Sequence, residues 1–402
     1  MIDREPLAIE GGHPASPSMI GYGHQVISDK DIHNVVNILK SDYLTCGPAT
    51  IEFEQKIKKT TGAGFATAVA NGTAALHIAM LAAGVRAGDE VIVSPITFAA
   101  SANCILYVGA TPVFADIDQD TWNIDPESIE KKITSRTKAV IAVDFGGVPV
   151  DADAISSICR KNGLLFIEDA AHSLGSVYKN KPVGSIADIT TLSFHPVKTI
   201  TTGEGGAVLT NDPNLHKMIQ LYAKHGITRE KDLMHNQNCG DWYYEQLVLG
   251  YNYRISDIQA ALGISQLDSL DQFAKRRREI VHTYNKEFKT LEEINFQLDP
   301  CPDDTVRHLY CIRFDLQKCE VDRRQLFDAL KAENIGVNVH YIPVYRLPYY
   351  VSLGYEAGLC PNAESYYESA ITLPLHCGMS DSDVAAVIKA VQKVTARYCR
   401  NK

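Results

Sequence analysis

From about residue 65 to 210 the chain repeats one pattern: a short apolar run, a glycine or polar break, then apolar residues at helical spacing. FATAVANGTAALHIAMLAAGV, DEVIVSPITFAASANCILYVGATPVFADI and KAVIAVDFGGVPVDADAISSICRKNGLLFIEDAAH all follow it. Alternation of β-branched runs with runs of period 3.6 predicts a mostly parallel sheet covered by helices, an α/β layer. Residues 222–250 are polar and aromatic with little period, long enough that a structureless loop there implies function. ISDIQAALGISQLDSLDQFAKRRREIVHTYNKEF then spaces its apolar residues by three and four, a linking helix with room for one break. HLYCIRFDL, RRQLFDALKAENIGVNVHYIPV and DVAAVIKAVQKV read as strand, helix, strand and terminal helix. The expected architecture is a large α/β domain with its N-terminal segment over 1–265 and a smaller C-terminal α/β domain over 266–402.

A length of 402 residues suits such a pair, and 45% apolar with 22% charged residues is globular composition. The formal charge is −9, and the densest basic run, KRRRE at 275–279, falls in the helical segment. It is expected to be one wet helix face, which leaves nucleic acid out as a partner. Ten cysteines have irregular spacing and no CxxC, as expected of reduced, buried thiols in a cytoplasmic protein. No run of about 18 apolar residues predicts a membrane span, and no Cys/His spacing predicts a metal site.

Three short stretches carry candidate chemistry. ANGTAAL (70–76) puts Gly72 and Thr73 where a strand ends and a helix begins, a geometry that gathers free amides and a helix dipole on an anion; a helix merely capped by Thr73 is the competing reading. FIEDAAH (166–172) ends an apolar strand in acids. A semi-buried Asp169 at a sheet's carboxyl edge requires a cationic partner, unless it is only a helix cap. SFHPVKTITTGEGG (193–206) places Lys198 between an apolar strand and a glycine cluster. Neither dinucleotide nor P-loop spacing is met. A phosphate-holding helix end, an acid for a pyridinium nitrogen and a lysine for a Schiff base together are what pyridoxal phosphate requires. Phe98, in SPITFAAS, is placed to cover the ring or to pack in the core.

NGTAALH, SPITFAASAN, EDAAHSLG, SFHPVKTITTGEGG, GYNYRISDIQAALG and HYIPVY resemble the DegT-type sugar-nucleotide aminotransferases, fold-type I pyridoxal phosphate enzymes, over nearly the whole chain. The likeness is strongest to members serving pseudaminic acid biosynthesis. The resemblance implies Lys198 as the Schiff-base lysine and proton shuttle, Asp169 as partner of the ring nitrogen and His172 near the ring hydroxyl. It implies Thr73, Ala74 and Ser193 on the phosphate. Asn252 would reach the cofactor of the neighbouring subunit in a homodimer with shared sites, while His340, Tyr341 and Thr45 would line the substrate end. It further implies amino transfer from glutamate to C4 of a UDP-4-keto-6-deoxy-N-acetylhexosamine, with another 4-keto or 3-keto nucleotide sugar as the alternative. The chain departs from its relatives at Cys46, where they often carry glutamine or threonine, and in a longer 229–245 segment.

Three other activities fit less well. A pyridoxamine-dependent sugar dehydratase has histidine in place of the lysine, whereas Lys198 is present. A cofactor-holding regulatory protein without turnover has no use for Lys198, Asp169 and Ser193 together. A cysteine desulfurase joins its lysine directly to a histidine, but Pro196 and Val197 separate the two here.

Overall fold

The computed structural model describes residues 5–236 and 240–399. Its largest element is a seven-stranded sheet. Across it the strands run Phe65–Val69, Gly206–Thr210, Ile189–Ser193, Leu165–Asp169, Thr137–Val143, Glu90–Val93 and Thr111–Phe114. Only Gly206–Thr210 is antiparallel to its neighbours. The other pairs are parallel, with Val143 beside Asp169 and Ile167 beside Ile189, so six strands end at one edge.

The strands are near-continuous apolar runs because helices cover both faces. Val93, Ile141, Ile167 and Ile189 pack with the helices Gly72–Ala82 and Ala100–Tyr107 on one side. Ile92, Val140 and Phe166 pack with Ala152–Asn162 on the other. Each such fully buried side chain contributes about 1.5–3 kcal/mol.

The long helical pattern is broken once, at Ser269, into Asp257–Asp268 and Leu270–Phe288. The second helix lies against an antiparallel three-stranded sheet, Ile294–Phe296, Tyr310–Phe314 and Ala370–Leu373, with Arg323–Ala332 and Asp381–Tyr398. The strand expected around HYIP is absent there. Asn338 makes a single bridge to Thr372, after which His340 and Tyr341 line the large cavity described below and Val344 and Tyr345 pack in the core of the large sheet. Leu7 and Ile20 of the N-terminal segment also join this smaller core.

Two further expectations are corrected. KRRRE is not uniformly a wet face: Arg277 is 0% exposed, since the helix turns it inward where it donates to the carbonyls of Arg307, His308 and Leu375. The cysteines are not all reduced and buried. Cys319 and Cys399 form a disulfide where the Glu320 amide, donating to the Tyr398 carbonyl, brings their segments together, and Cys46 and Cys301 are exposed. Cys239 lies outside the described residues. No described helix is long and apolar enough to cross a membrane.

Candidate active site

A cavity of about 860 Å³ opens at the edge where the parallel strands end. Open α/β sheets bind ligands there because strand ends and helix N-termini leave polar groups facing one crevice.

One wall is the helix Gly72–Ala82. Its cap is Asn71, not Thr73: Asn71 Oδ1 accepts the Ala74 amide at 2.8 Å. Gly72 and Thr73 therefore sit in a first turn whose amides have no intrahelical acceptor. Only glycine fits at 72, because a Cβ there would meet Ser193 Cβ at 2.9 Å. That contact sets the Ser193 hydroxyl against the helix end, and both line the cavity.

The floor is Asp169, last residue of its strand and 4% exposed. Oδ2 accepts from Ser101 Oγ at 2.7 Å and Oδ1 from the Ala171 amide at 3.2 Å. Thr97 Oγ1 meets Ser101 Oγ at 2.7 Å and fixes it in turn. Asp169 caps no helix; residues 171–175 form turns. Burial raises its carboxyl above the ordinary range, while the two hydrogen bonds and the Lys198 ammonium oppose that.

Lys198 enters from the loop after Ile189–Ser193, its amide donating to the His195 carbonyl at 2.9 Å. Desolvation by the walls lowers its ammonium to about 8 against the attraction of Asp169. The amine thus loses its proton near neutrality, as proton-transfer chemistry at a lysine requires.

The fourth side is aromatic. Tyr341 OH lies 3.3 Å from His172 Nε2, and His340 Nδ1 lies 2.8 Å from Thr372 Oγ1. Burial, then Lys198, keeps His172 well below and His340 at about 4, so both rings are neutral. Phe98 is exposed toward the cavity, its ring 6.4 Å from that of Tyr341.

The cavity gathers Lys198, Asp169, His172, Thr73, Ala74, Phe98, Ser193, His340 and Tyr341, nine of the residues singled out in the sequence. Asn252 and Thr45 do not line it. Asn252 bridges to Lys224 and Thr45 to Ser256, both are exposed, and the cap of the Asp257–Asp268 helix is Ser256, not Asn252. Sequence reasoning missed Ser101, which lies within the quoted SPITFAAS, and His308, the first residue of HLYCIRFDL. A hydroxyl one helical turn after Thr97 was a usable signal for the first.

What the site leaves unspent suits pyridoxal phosphate. First-turn amides and the Ser193 hydroxyl suit a phosphate, a carboxylate without a full counter-charge suits a pyridinium N–H, and a neutralisable amine suits an aldehyde. His172 Nδ1, buried and without a hydrogen-bond partner among the described residues, suits a ring hydroxyl.

Known proteins agree. Residues 25–392 match the model of the DegT/DnrJ/EryC1/StrS aminotransferase family. The spore coat polysaccharide biosynthesis protein SpsC of Bacillus subtilis is 43% identical over 93% of this chain and 96% of its own. The UDP-4-amino-4,6-dideoxy-N-acetyl-beta-L-altrosamine transaminase of Campylobacter jejuni serotype O:23/36 is 38% identical over 95% and 100%. The solved PLP-form of Spr1654 from Streptococcus pneumoniae superposes with a TM-score of 0.87 at 33% identity, covering 94% of this chain and 99% of that one. With the family matched over most of its length and a cavity fitted to pyridoxal phosphate, the chain belongs to the DegT/DnrJ/EryC1/StrS aminotransferases and is a sugar-nucleotide transaminase that uses this cofactor.

Proposed function

We propose that the enzyme moves an amino group from glutamate to C4 of a UDP-4-keto-6-deoxy-N-acetylhexosamine, as a cytoplasmic step of pseudaminic acid biosynthesis. The observation that carries the reading is the convergence of Lys198, Asp169 and Ser193 on one cavity large enough for a cofactor and a sugar. The 38% identity to the altrosamine transaminase supports the substrate class. When bound, pyridoxal phosphate supplies an electron sink for the carbon that loses its proton.

The chain's own residues do the rest. Lys198 Nζ, neutral in an appreciable fraction of molecules near pH 8, takes a proton from the donor amino acid and returns one to the sugar carbon in the second half-reaction. Asp169, oriented by Ser101 and the Ala171 amide, faces a cation and keeps it protonated. The first turn of Gly72–Ala82 and Ser193 hold phosphate; His172 orients a ring hydroxyl. Phe98, His340 and Tyr341 exclude water beside the substrate.

Asn252 and Thr45, exposed and outside the cavity of their own chain, are in our reading surfaces for a second copy. Asn252 serves the partner's cofactor in a two-fold dimer. The proposed division of the chain remains 1–265 and 266–402.

Purified enzyme assayed with glutamate against a panel of UDP-4-keto and UDP-3-keto sugars, with the product amine's configuration determined, tests the substrate. Turnover only with a 3-keto sugar overturns the C4 assignment. Co-expression of Lys198→Ala with Asn252→Ala tests the sharing. If both parents are inactive and the mixture regains activity, the site is shared; no recovery places Asn252 within its own chain.

A further inference from the structure

Among the described residues, Arg277 is a buried cation without a carboxylate partner, an expensive group to place inside a fold. Its Nη1 donates to the carbonyls of Arg307 and His308, at 3.2 and 3.4 Å, and of Leu375 at 3.1 Å. On the other side of the same segment, the amides of His308 and Leu309 donate to the Gly146 carbonyl at 2.8 and 3.2 Å. The FGG of VDFGGVP makes this docking possible. Gly147 has φ +102°, and a Cβ there would lie 2.3 Å from the Val306 carbonyl oxygen and 2.9 Å from that of His172. Residues 306–309 are thus clamped between a guanidinium and a glycine turn that only a chain without side chains can provide.

What the clamp delivers is His308. Its ring lines the cavity and lies 4.6 Å from that of His172, nearer than those of Phe145 and Tyr341, at 6.4 and 6.3 Å. Apart from the Tyr341 hydroxyl at 3.3 Å, His172 has no hydrogen bond to its side chain among the described residues, so ring packing fixes its orientation. We propose that His308, held by Arg277 and the Gly146–Gly147 turn, is a positioning residue that sets the His172 imidazole toward the cofactor. This rests on the reading of His172 as a cofactor contact.

A double-mutant cycle on the holoenzyme tests it, with His172→Phe and His308→Ala, reading turnover and the dissociation constant for pyridoxal phosphate by absorbance titration. Positioning through His172 predicts that His308→Ala weakens cofactor binding and lowers kcat, each by about tenfold. In the His172→Phe background the same substitution costs less than about threefold. His308→Phe, which keeps a flat ring in the same space, restores both to within a few-fold of native. If His172→Phe is costly but His308→Ala is neutral, or its effect is additive, or His308→Phe fails to rescue, the inference falls and the site reading stands. If His172→Phe itself changes neither measurement, the reading of His172 fails and the inference falls with it.

Discussion

Buried acids are handled in different ways at the strand ends near the cavity and around the three-stranded sheet. At the strand ends near the cavity, Asp144, Glu168 and Asp169 are all buried, and among the described residues no arginine pairs with any of them. They accept only from hydroxyls and amides: Ser173 and Val150 on Asp144, Thr190 and Gly184 on Glu168, Ser101 and Ala171 on Asp169. Burial pushes all three carboxyls upward and lowers Lys198 beside them. Around the three-stranded sheet, two buried acid side chains have cationic partners. Glu333 meets Lys393 at 3.0 Å and accepts the Ala8 and Ala15 amides at 2.8 Å each, while Asp299 meets Arg307 at 3.3 Å. Of Asp144, Glu168 and Asp169, only Asp169 lines the cavity, where a ligand can complete it, while the ion-paired acids hold chain segments together.

The comparison breaks first if Lys198 proves dispensable. Lys198→Ala is expected to lose turnover by about a thousandfold or more, since no other amine lines the cavity among the described residues. Borohydride should fix cofactor covalently to the native protein and leave no adduct on the variant. Asp169→Asn is expected to fold and to lose on the order of a hundredfold in kcat, because an amide cannot hold a pyridinium proton. A rate within a few-fold of native would make Asp169 one more structural acid.

The other layer predicts the reverse response. Glu333→Ala removes the anion that holds Lys393 and the amides of Ala8 and Ala15, leaving a buried cation with only the Glu5 carboxylate at 4.0 Å and the His13 carbonyl at 2.8 Å. It should cost about 3–5 kcal/mol in urea unfolding while kcat per folded molecule changes less than about twofold. A loss of kcat with unchanged stability would erase the distinction between the layers.

The α/β layer was legible because its strands and helices differ in period, and the three cavity-lining stretches because each joins a strand end to a chemically specific residue. Other features depend on long-range contacts. That Arg277 turns inward is decided by three carbonyls, two of them 30 and 31 residues away, and nothing in KRRRE distinguishes it from Arg276 or Arg278. His308 reaches His172 only because Gly146 and Gly147 admit a segment 160 residues later in the chain. The Cys319–Cys399 pair spans a separation of 80 residues with no spacing motif to announce it. Asn252 and Thr45 fall outside the cavity of their own chain, and nothing in their short motifs announces that.

The smallest expected effect concerns the proton on Lys198 itself. An ordinary lysine titrates near 10.4, but in the folded chain this one is held at about 8, by desolvation first and against the pull of Asp169. In cofactor-free protein, competitive acetylation of Lys198 read by peptide mass spectrometry should therefore rise with pH around a midpoint near 8. Between that midpoint and the ordinary lysine value the unfolded chain binds the extra proton. This group's contribution to stability consequently increases as pH rises through that window and is at its least below it. Asp169→Asn removes the one attraction opposing desolvation, so the midpoint should move down, not up. A midpoint at the ordinary lysine value would mean that solvent reaches the ammonium freely. The contrast between an uncompensated site edge and a compensated second layer would then hold for the carboxylates alone.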